Sequence, residues 1–193
     1  MTGATANPAW TLETPTIADA PELSAMAQAS FTDTFAYMQY PPADLERFLD
    51  SAMGAATYAR QIADPDYAIR IARWGGDCGQ GAICGFIKLG PNELPLPPGE
   101  PQPAPTPASP GTRELHQLYL TGAAQGTGLA DALMAFALAD ARGRGAEALY
   151  LSVYVGNLKA QRFYTRHGFV EIGKVAFAVG DTIDDDRLWR RYV

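Results

Sequence analysis

An α/β fold is the class this sequence predicts, and three observations predict it. Leu23, Met26, Ala27, Phe31 and Phe35 recur at three- and four-residue spacing, the stripe of a helix that buries one face. Tyr67 to Trp74 and Ala82 to Leu89 are short apolar runs bounded by Asp64-Pro65 and Gly75-Gly76, as the strands of a hairpin are. Beyond Glu114, strand-like and helix-like runs alternate, the first pair joined by a glycine-rich loop. At 193 residues the chain fits one domain, 1–193, large enough to bury roughly two thirds of its unfolded surface without disulfide or metal staples.

Taken in order, Thr11 to Thr16 is β-rich, and Ala18-Asp19-Ala20-Pro21 supplies a cap and an early proline for the helix that carries the apolar stripe. A second helix opens after Tyr40-Pro41-Pro42, with Leu45, Phe48 and Leu49 on one side. The hairpin follows. Nine of the 15 prolines then fall between Pro91 and Pro110, so the segment 91–112 is expected to be a mobile, extended insertion between two strands. Glu114 to Leu120 reads as a strand, Leu129 to Arg142 as a helix and Ala148 to Val155 as a buried strand. Asn157 to His167 is a short helix with Asn157 as its cap and Gly168 just past its end. Phe169 to Val179 and Arg187 to Val193 close the fold as strands.

A net charge of −6 provides no basic face for nucleic acid and favours approach of a cationic small molecule. No apolar run nears the ~20 residues that span a bilayer, and Met1 to Trp10 lacks the basic and apolar regions of a signal peptide. A cytoplasmic protein with neither membrane nor nucleic-acid partners is expected. Cys78 and Cys84 form no CxxC pair and have no histidines at ligand spacing, so no metal is expected.

Chemistry is concentrated in Leu118-Tyr119-Leu120-Thr121-Gly122-Ala123-Ala124-Gln125-Gly126-Thr127-Gly128-Leu129-Ala130. Gly126 and Gly128 allow a tight turn where a helix begins, and the first N–H groups of that helix have no internal acceptor. Helped by the helix dipole, they form an anion site suited to a diphosphate. A P-loop is excluded because Thr127 and Asp131 stand where its second glycine is needed and no lysine follows. A dinucleotide fingerprint would need a third glycine near Asp131 and an acidic residue closing the next strand, which here ends Ser152-Val153-Tyr154-Val155.

The loop resembles the phosphate loop of the GNAT superfamily of acetyltransferases, Arg/Gln-x-x-Gly-x-Gly/Ala. Gln125-Gly126-Thr127-Gly128-Leu129 matches its second half, and Ala123 departs from its first position. Asn157-Leu158-Lys159-Ala160-Gln161-Arg162-Phe163-Tyr164-Thr165-Arg166-His167-Gly168-Phe169 is similar to the family's second signature, Asn-x-x-Ala-x-x-Phe-Tyr-x-x-x-Gly-Phe. Both motifs in order are far more specific than either alone. Phe31-Thr32-Asp33-Thr34-Phe35, Tyr40-Pro41 and the C-terminal strands lean toward bacterial spermine/spermidine-type enzymes.

The resemblance implies a GNAT fold: a central, mixed and mostly antiparallel twisted sheet of about seven strands, splayed between the fourth and fifth and flanked by about four helices. It implies acetyl-CoA as co-substrate, its diphosphate on Gln125, Gly126, Thr127, Gly128, Leu129 and Ala130. Its pantetheine arm would lie along Leu118, Tyr119 and Leu120 and against Asn157, Ala160 and Phe163. Tyr164 is the expected acid that protonates the leaving thiolate, as the high pKa of a phenol permits. Strand alternation puts Glu114, His116 and Leu118 on one face; Glu114 is the expected base and His116 its rival. His167, in the last turn of its helix, reads as structural. The acceptor groove is expected near Phe31, Asp33 and Phe35 and a late hairpin from Val179 to Arg187. Asp181, Asp184, Asp185 and Asp186 there are countercharges for a polyamine or simply a solvated turn. Transfer to a primary amine (polyamine, small amine or peptide N-terminus) by direct attack is the expected activity, since no cysteine or serine falls at a catalytic position of the motifs. A non-catalytic CoA-binding or regulatory protein is the alternative. Dimers are common among such enzymes, so a homodimer is one assembly consistent with the sequence.

Overall fold

The computed structural model describes residues 9–75, 81–101 and 111–193. The strands are β1 (Trp10–Glu13), β2 (Ala68–Trp74), β3 (Ile83–Pro91), β4 (Thr112–Leu120), β5 (Ala148–Tyr154), β6 (Val170–Val179) and β7 (Thr182–Tyr192). They form one seven-stranded sheet in the order β1-β2-β3-β4-β5-β7-β6. Neighbours are antiparallel except β4 and β5, which run parallel. This is the mixed, mostly antiparallel sheet that the resemblance implies.

Helices cover both faces. On one side lie α1 (Ala20–Phe35), α2 (Pro42–Met53) and α3 (Ala55–Ala63), whose Leu23, Ala27, Phe31, Met53 and Tyr58 pack with Ile71 and Phe86 of the sheet. On the other lie α4 (Leu129–Gly143) and α5 (Leu158–Arg166), with Leu133, Met134, Ala137 and Tyr164 packed against Ile87, Leu89 and Leu151. The helical stretch after Pro41 breaks into two at Gly54, whose Cβ position falls against the Asp50 carbonyl. At the start of α1, Asp19 makes no side-chain cap bond. Its carboxylate instead accepts the Thr16 N–H at 2.7 Å and pairs with Arg73 at 2.6 Å.

Before the 102–110 stretch, which lies outside the described residues, Leu94 and Leu96 pack on Ala148, Tyr150 and Leu188. Glu100 accepts hydrogen bonds from Tyr150 at 2.8 Å and Arg190 at 2.7 Å. Apolar anchors and an ion pair thus tie 94–100 to the sheet despite its prolines. Cys78 also lies outside the described residues.

Two irregularities create the site. Strands β4 and β5 pair only at Thr112↔Ala148, Arg113↔Leu149 and Glu114↔Tyr150, and beyond Glu114 they part, leaving facing edges free. This is the splay between the fourth and fifth strands. Just there β4 carries a bulge against β3, because Lys88 faces Gln117 while Leu89 faces Leu115, with His116 as the extra residue. A bulge adds local twist, which turns β4 away from its neighbour. It also corrects the expected alternation. Leu115 and Leu118 both pack on the α4 side, while Gln117, which accepts from Tyr58 Oη at 2.8 Å, and Tyr119 face α1 and α3.

Candidate active site

Gly126 and Gly128 hold φ of +79° and +83°, the left-handed region that other residues enter at a cost of about 1–2 kcal/mol. The turn they make leads straight into α4. Among the described residues, no backbone carbonyl accepts from the N–H groups of Gly126, Thr127, Gly128, Leu129, Ala130 or Asp131. Those donors, with the positive end of the α4 dipole, fit the pyrophosphate of coenzyme A. A cavity of about 400 Å³ opens in front of them. It runs along Leu118, Tyr119 and Leu120 and is closed on the other side by Asn157, Ala160, Phe163 and Tyr164. Asn157 caps α5, its Oδ1 accepting the Ala160 N–H at 3.1 Å, so its amide hydrogens remain for a ligand.

A second cavity of about 500 Å³ lies in the mouth of the splay. Phe31, Phe35, Tyr40, Phe48 and Phe177 form an aromatic wall, and Glu114, His116, Asp184 and Asp186 bring titratable groups. Both cavities share Thr34, Leu118, Tyr119, Asn157, Ala160 and Tyr164. The two therefore meet at Tyr164, the residue on which the second sequence motif centres.

Burial sets the electrostatics. Glu114, held by an N–H from Glu93 at 2.9 Å, is pushed up by burial to about 7. Burial and the nearby Lys88 charge push His116 down to about 3. Its Nε2 lies 3.0 Å from the Pro91 carbonyl, which can only accept, so Nε2 carries the hydrogen. Its Nδ1 then faces Glu114 Oε1 at 3.2 Å as an acceptor. The neutral carboxyl donates there. Gly90 makes this possible: a Cβ there would stand 2.7 Å from His116 Nε2 and 2.6 Å from the Tyr67 ring. Burial lowers Lys88 to about 8 and raises Asp186 to about 6, the latter against a hydrogen bond from Ser152. The Tyr164 hydroxyl is also raised by burial.

Most residues singled out in the sequence line these cavities, with three exceptions. Asp33 is exposed and lines neither cavity, because on a 3.6-residue turn it points away from the Phe31 and Phe35 face; Thr34 takes its place. The Leu129 side chain is buried in the core, leaving only its N–H to a ligand. Thr127 turns its hydroxyl onto the Ala124 carbonyl at 2.7 Å. Asp181 sits in the exposed turn before β7, whereas Asp184, Asp185 and Asp186 lie in the strand itself. Asp184 and Asp186 are 4% and 6% exposed, while Asp181 and Asp185 face solvent. Sequence reasoning misses Lys88, Lys159 and Arg166; the last two line the cavity in front of the Gly126–Gly128 turn, and Lys159 donates to Gln125. His167 pairs through Nε2 with Asp131 at 2.8 Å. The described residues contain no group of His, Cys, Asp and Glu able to hold a metal ion, and no described helix is long and apolar enough to cross a membrane.

A splayed sheet with a loop of unpaired N–H groups at one end of the gap and a second cavity at the other fits an acyl-CoA-dependent acyltransferase. The model of the acetyltransferase (GNAT) family matches residues 26–169, and the chain belongs to that family. It is 32% identical over 177 residues to an uncharacterized N-acetyltransferase of Mycobacterium tuberculosis (strain ATCC 25618 / H37Rv), spanning 90% of this chain and 97% of the relative. Its fold is similar to that of PaiA N-acetyltransferase from Thermoplasma acidophilum in complex with coenzyme A. That match has a TM-score of 0.68 at 18% identity and covers 95% and 99% of the two chains. Ribosomal-protein-alanine N-acetyltransferase from Brucella melitensis matches with a TM-score of 0.66 at 19% identity, over 95% and 99%. The chain is thus an acetyltransferase that uses acetyl-CoA as co-substrate.

Proposed function

We propose that the chain transfers acetyl from acetyl-CoA to a primary amine by direct attack in a ternary complex. The observation that carries this reading is the meeting of the coenzyme cavity and the titratable cavity at Tyr164. Bound acetyl-CoA supplies a thioester carbonyl as electrophile. The amine nitrogen bonds to that carbon as the C–S bond breaks; Tyr164 gives its hydroxyl proton to the departing sulfur and is reprotonated by the second proton that the acylated nitrogen sheds. Glu114, with a pKa of about 7, takes the proton that the ammonium must lose. It lies four residues from Leu118 on β4, about 13 Å at ~3.3 Å per residue, so water in the cavity relays the proton. His116 orients Glu114 through Nδ1 and is too weak a base to replace it. Direct transfer is supported by Cys84, which is fully buried in the core with its thiol raised by burial.

The test is an acceptor screen that detects released thiol, run on wild type and Tyr164→Phe. Amine-dependent thiol release that falls at least 100-fold in the variant, with coenzyme A affinity kept, supports the reading. Coenzyme A binding without turnover of any amine would instead favour a regulatory protein on the same scaffold.

A further inference from the structure

The acidic end of the second cavity has a feature that the acid–base chemistry above does not use. Asp184 and Asp186 alternate on β7, so both side chains point from one face of the strand into the cavity. Asp184 is 4% exposed. Tyr40 donates its hydroxyl to Oδ2, but Oδ1 is buried with no hydrogen-bond partner among the described residues. An acceptor atom this buried costs about 1–3 kcal/mol when left unpaired, so its presence on a cavity wall indicates a donor that arrives from outside. Asp186 already accepts from Ser152 and is likewise almost wholly buried.

The charges facing this pair come from several elements. Tyr40 reaches it from the segment after α1, Tyr37 and Tyr119 lie within electrostatic range, and Asp185 on the same strand is exposed. None of these is a cation; Lys88, which lines the same cavity from β3, donates to Gln61 at 3.2 Å and lies over the Tyr58 ring, and no salt bridge reaches Asp184 or Asp186 among the described residues. Opposite stand aromatic rings, with Phe31 to Phe48 and Phe48 to Phe177 centroids 4.9 and 5.6 Å apart.

We infer that Asp184 and Asp186 form a cation seat for the acceptor: the substrate presents an ammonium group to the unpaired Asp184 oxygen while its apolar body lies on the Phe31, Phe48 and Phe177 wall. An ammonium brings three donors and a positive charge, and aromatic faces attract cations and cover apolar carbon alike. Neutral or anionic acceptors leave the buried carboxylates uncompensated and are rejected. The inference rests on the proposed function and narrows it to cationic amines with an apolar or aromatic body.

Calorimetric binding to the coenzyme A-saturated protein at about pH 8, above the raised Asp186 value of about 6, tests it with phenethylamine, isoamylamine and the neutral isostere 2-phenylethanol. Expected is binding of the amines at least 10-fold tighter than the alcohol, as a charged hydrogen bond gives. Asp184→Asn and Asp186→Asn should each lose about 10- to 100-fold for the amines while coenzyme A affinity stays within about twofold. Equal affinity for amine and alcohol overturns the seat without any variant, as does failure of both amines to bind at millimolar concentration. Acetylation of phenethylamine with KM unchanged in both variants would overturn the seat and leave the proposed transfer standing. Charge-dependent amine binding without thiol release would do the reverse.

Discussion

Replacing Glu114 by Gln should make the protein more stable and less active, with both effects governed by pH. Glu114 is 8% exposed, and burial lifts its pKa from 4.5 to about 7. A raised carboxyl pKa means that the folded state favours the neutral form. The contribution of Glu114 to stability is therefore present in full below about 4.5, falls as pH rises from there, and is gone above about 7. At about 1.36 kcal/mol per pKa unit, the gap amounts to about 3 kcal/mol. Gln is a permanently neutral isostere that can still accept the Glu93 N–H and donate to His116 Nδ1. The variant should match wild type near pH 4.5 and exceed it by about 3 kcal/mol near pH 9, a rise in Tm on the order of 10 °C for a chain of this length. Its kcat/KM should drop about 100- to 10,000-fold and lose the limb that wild type shows near pH 7. Thermal unfolding across pH and acetyl-transfer profiles measure the two together. Parallel stability curves, or a variant less stable than wild type at pH 9, would refute the burial argument; an intact pH limb would remove Glu114 as base.

Three other perturbations probe separate parts of the site. Gly128→Ala forces a side chain into φ of +83° and should cost about 1–2 kcal/mol in the loop, read as a lower Tm and a raised KM for acetyl-CoA. Asn157→Ala removes the cap of α5 and should cost about 1 kcal/mol of stability, with coenzyme A affinity falling in isothermal titration; a variant that loses stability alone would mark Asn157 as only a cap. Lys159→Ala, on the coenzyme cavity wall, should weaken coenzyme A binding more at low than at high salt, since screening already removes part of an exposed charge's attraction.

What was legible in the sequence, and what was not, follows from the range of the forces involved. Local signals carried far: the asparagine cap and Gly168 bracket α5, and Gly126 and Gly128 announce the left-handed turn that leads into α4, because a cap or such a turn is specified within a few residues. The bulge at His116 carries no such signature. It depends on how β4 meets β3, and a single extra residue was enough to undo the alternation expected for Glu114 to Tyr119. Asp184 and Asp186 look like surface residues in the sequence because charged side chains usually are. Only their pairing with β6 and β5 and the cover from Tyr40 reveal them as buried. An Asp-x-Asp spacing within a longer strand is the one trace that could have shown them sharing a face. Asp33 was misplaced by adjacency in sequence, where helical periodicity favours Thr34.

A crystal structure with bound coenzyme A addresses the central claim most directly. The account predicts pyrophosphate oxygens about 2.7–3.2 Å from N–H groups between Gly126 and Asp131, the pantetheine arm paired to the free edge of β4, and the thiol against the Tyr164 hydroxyl. Coenzyme A bound elsewhere, or a thiol directed away from Tyr164 with β4 and β5 zipped together, would contradict it.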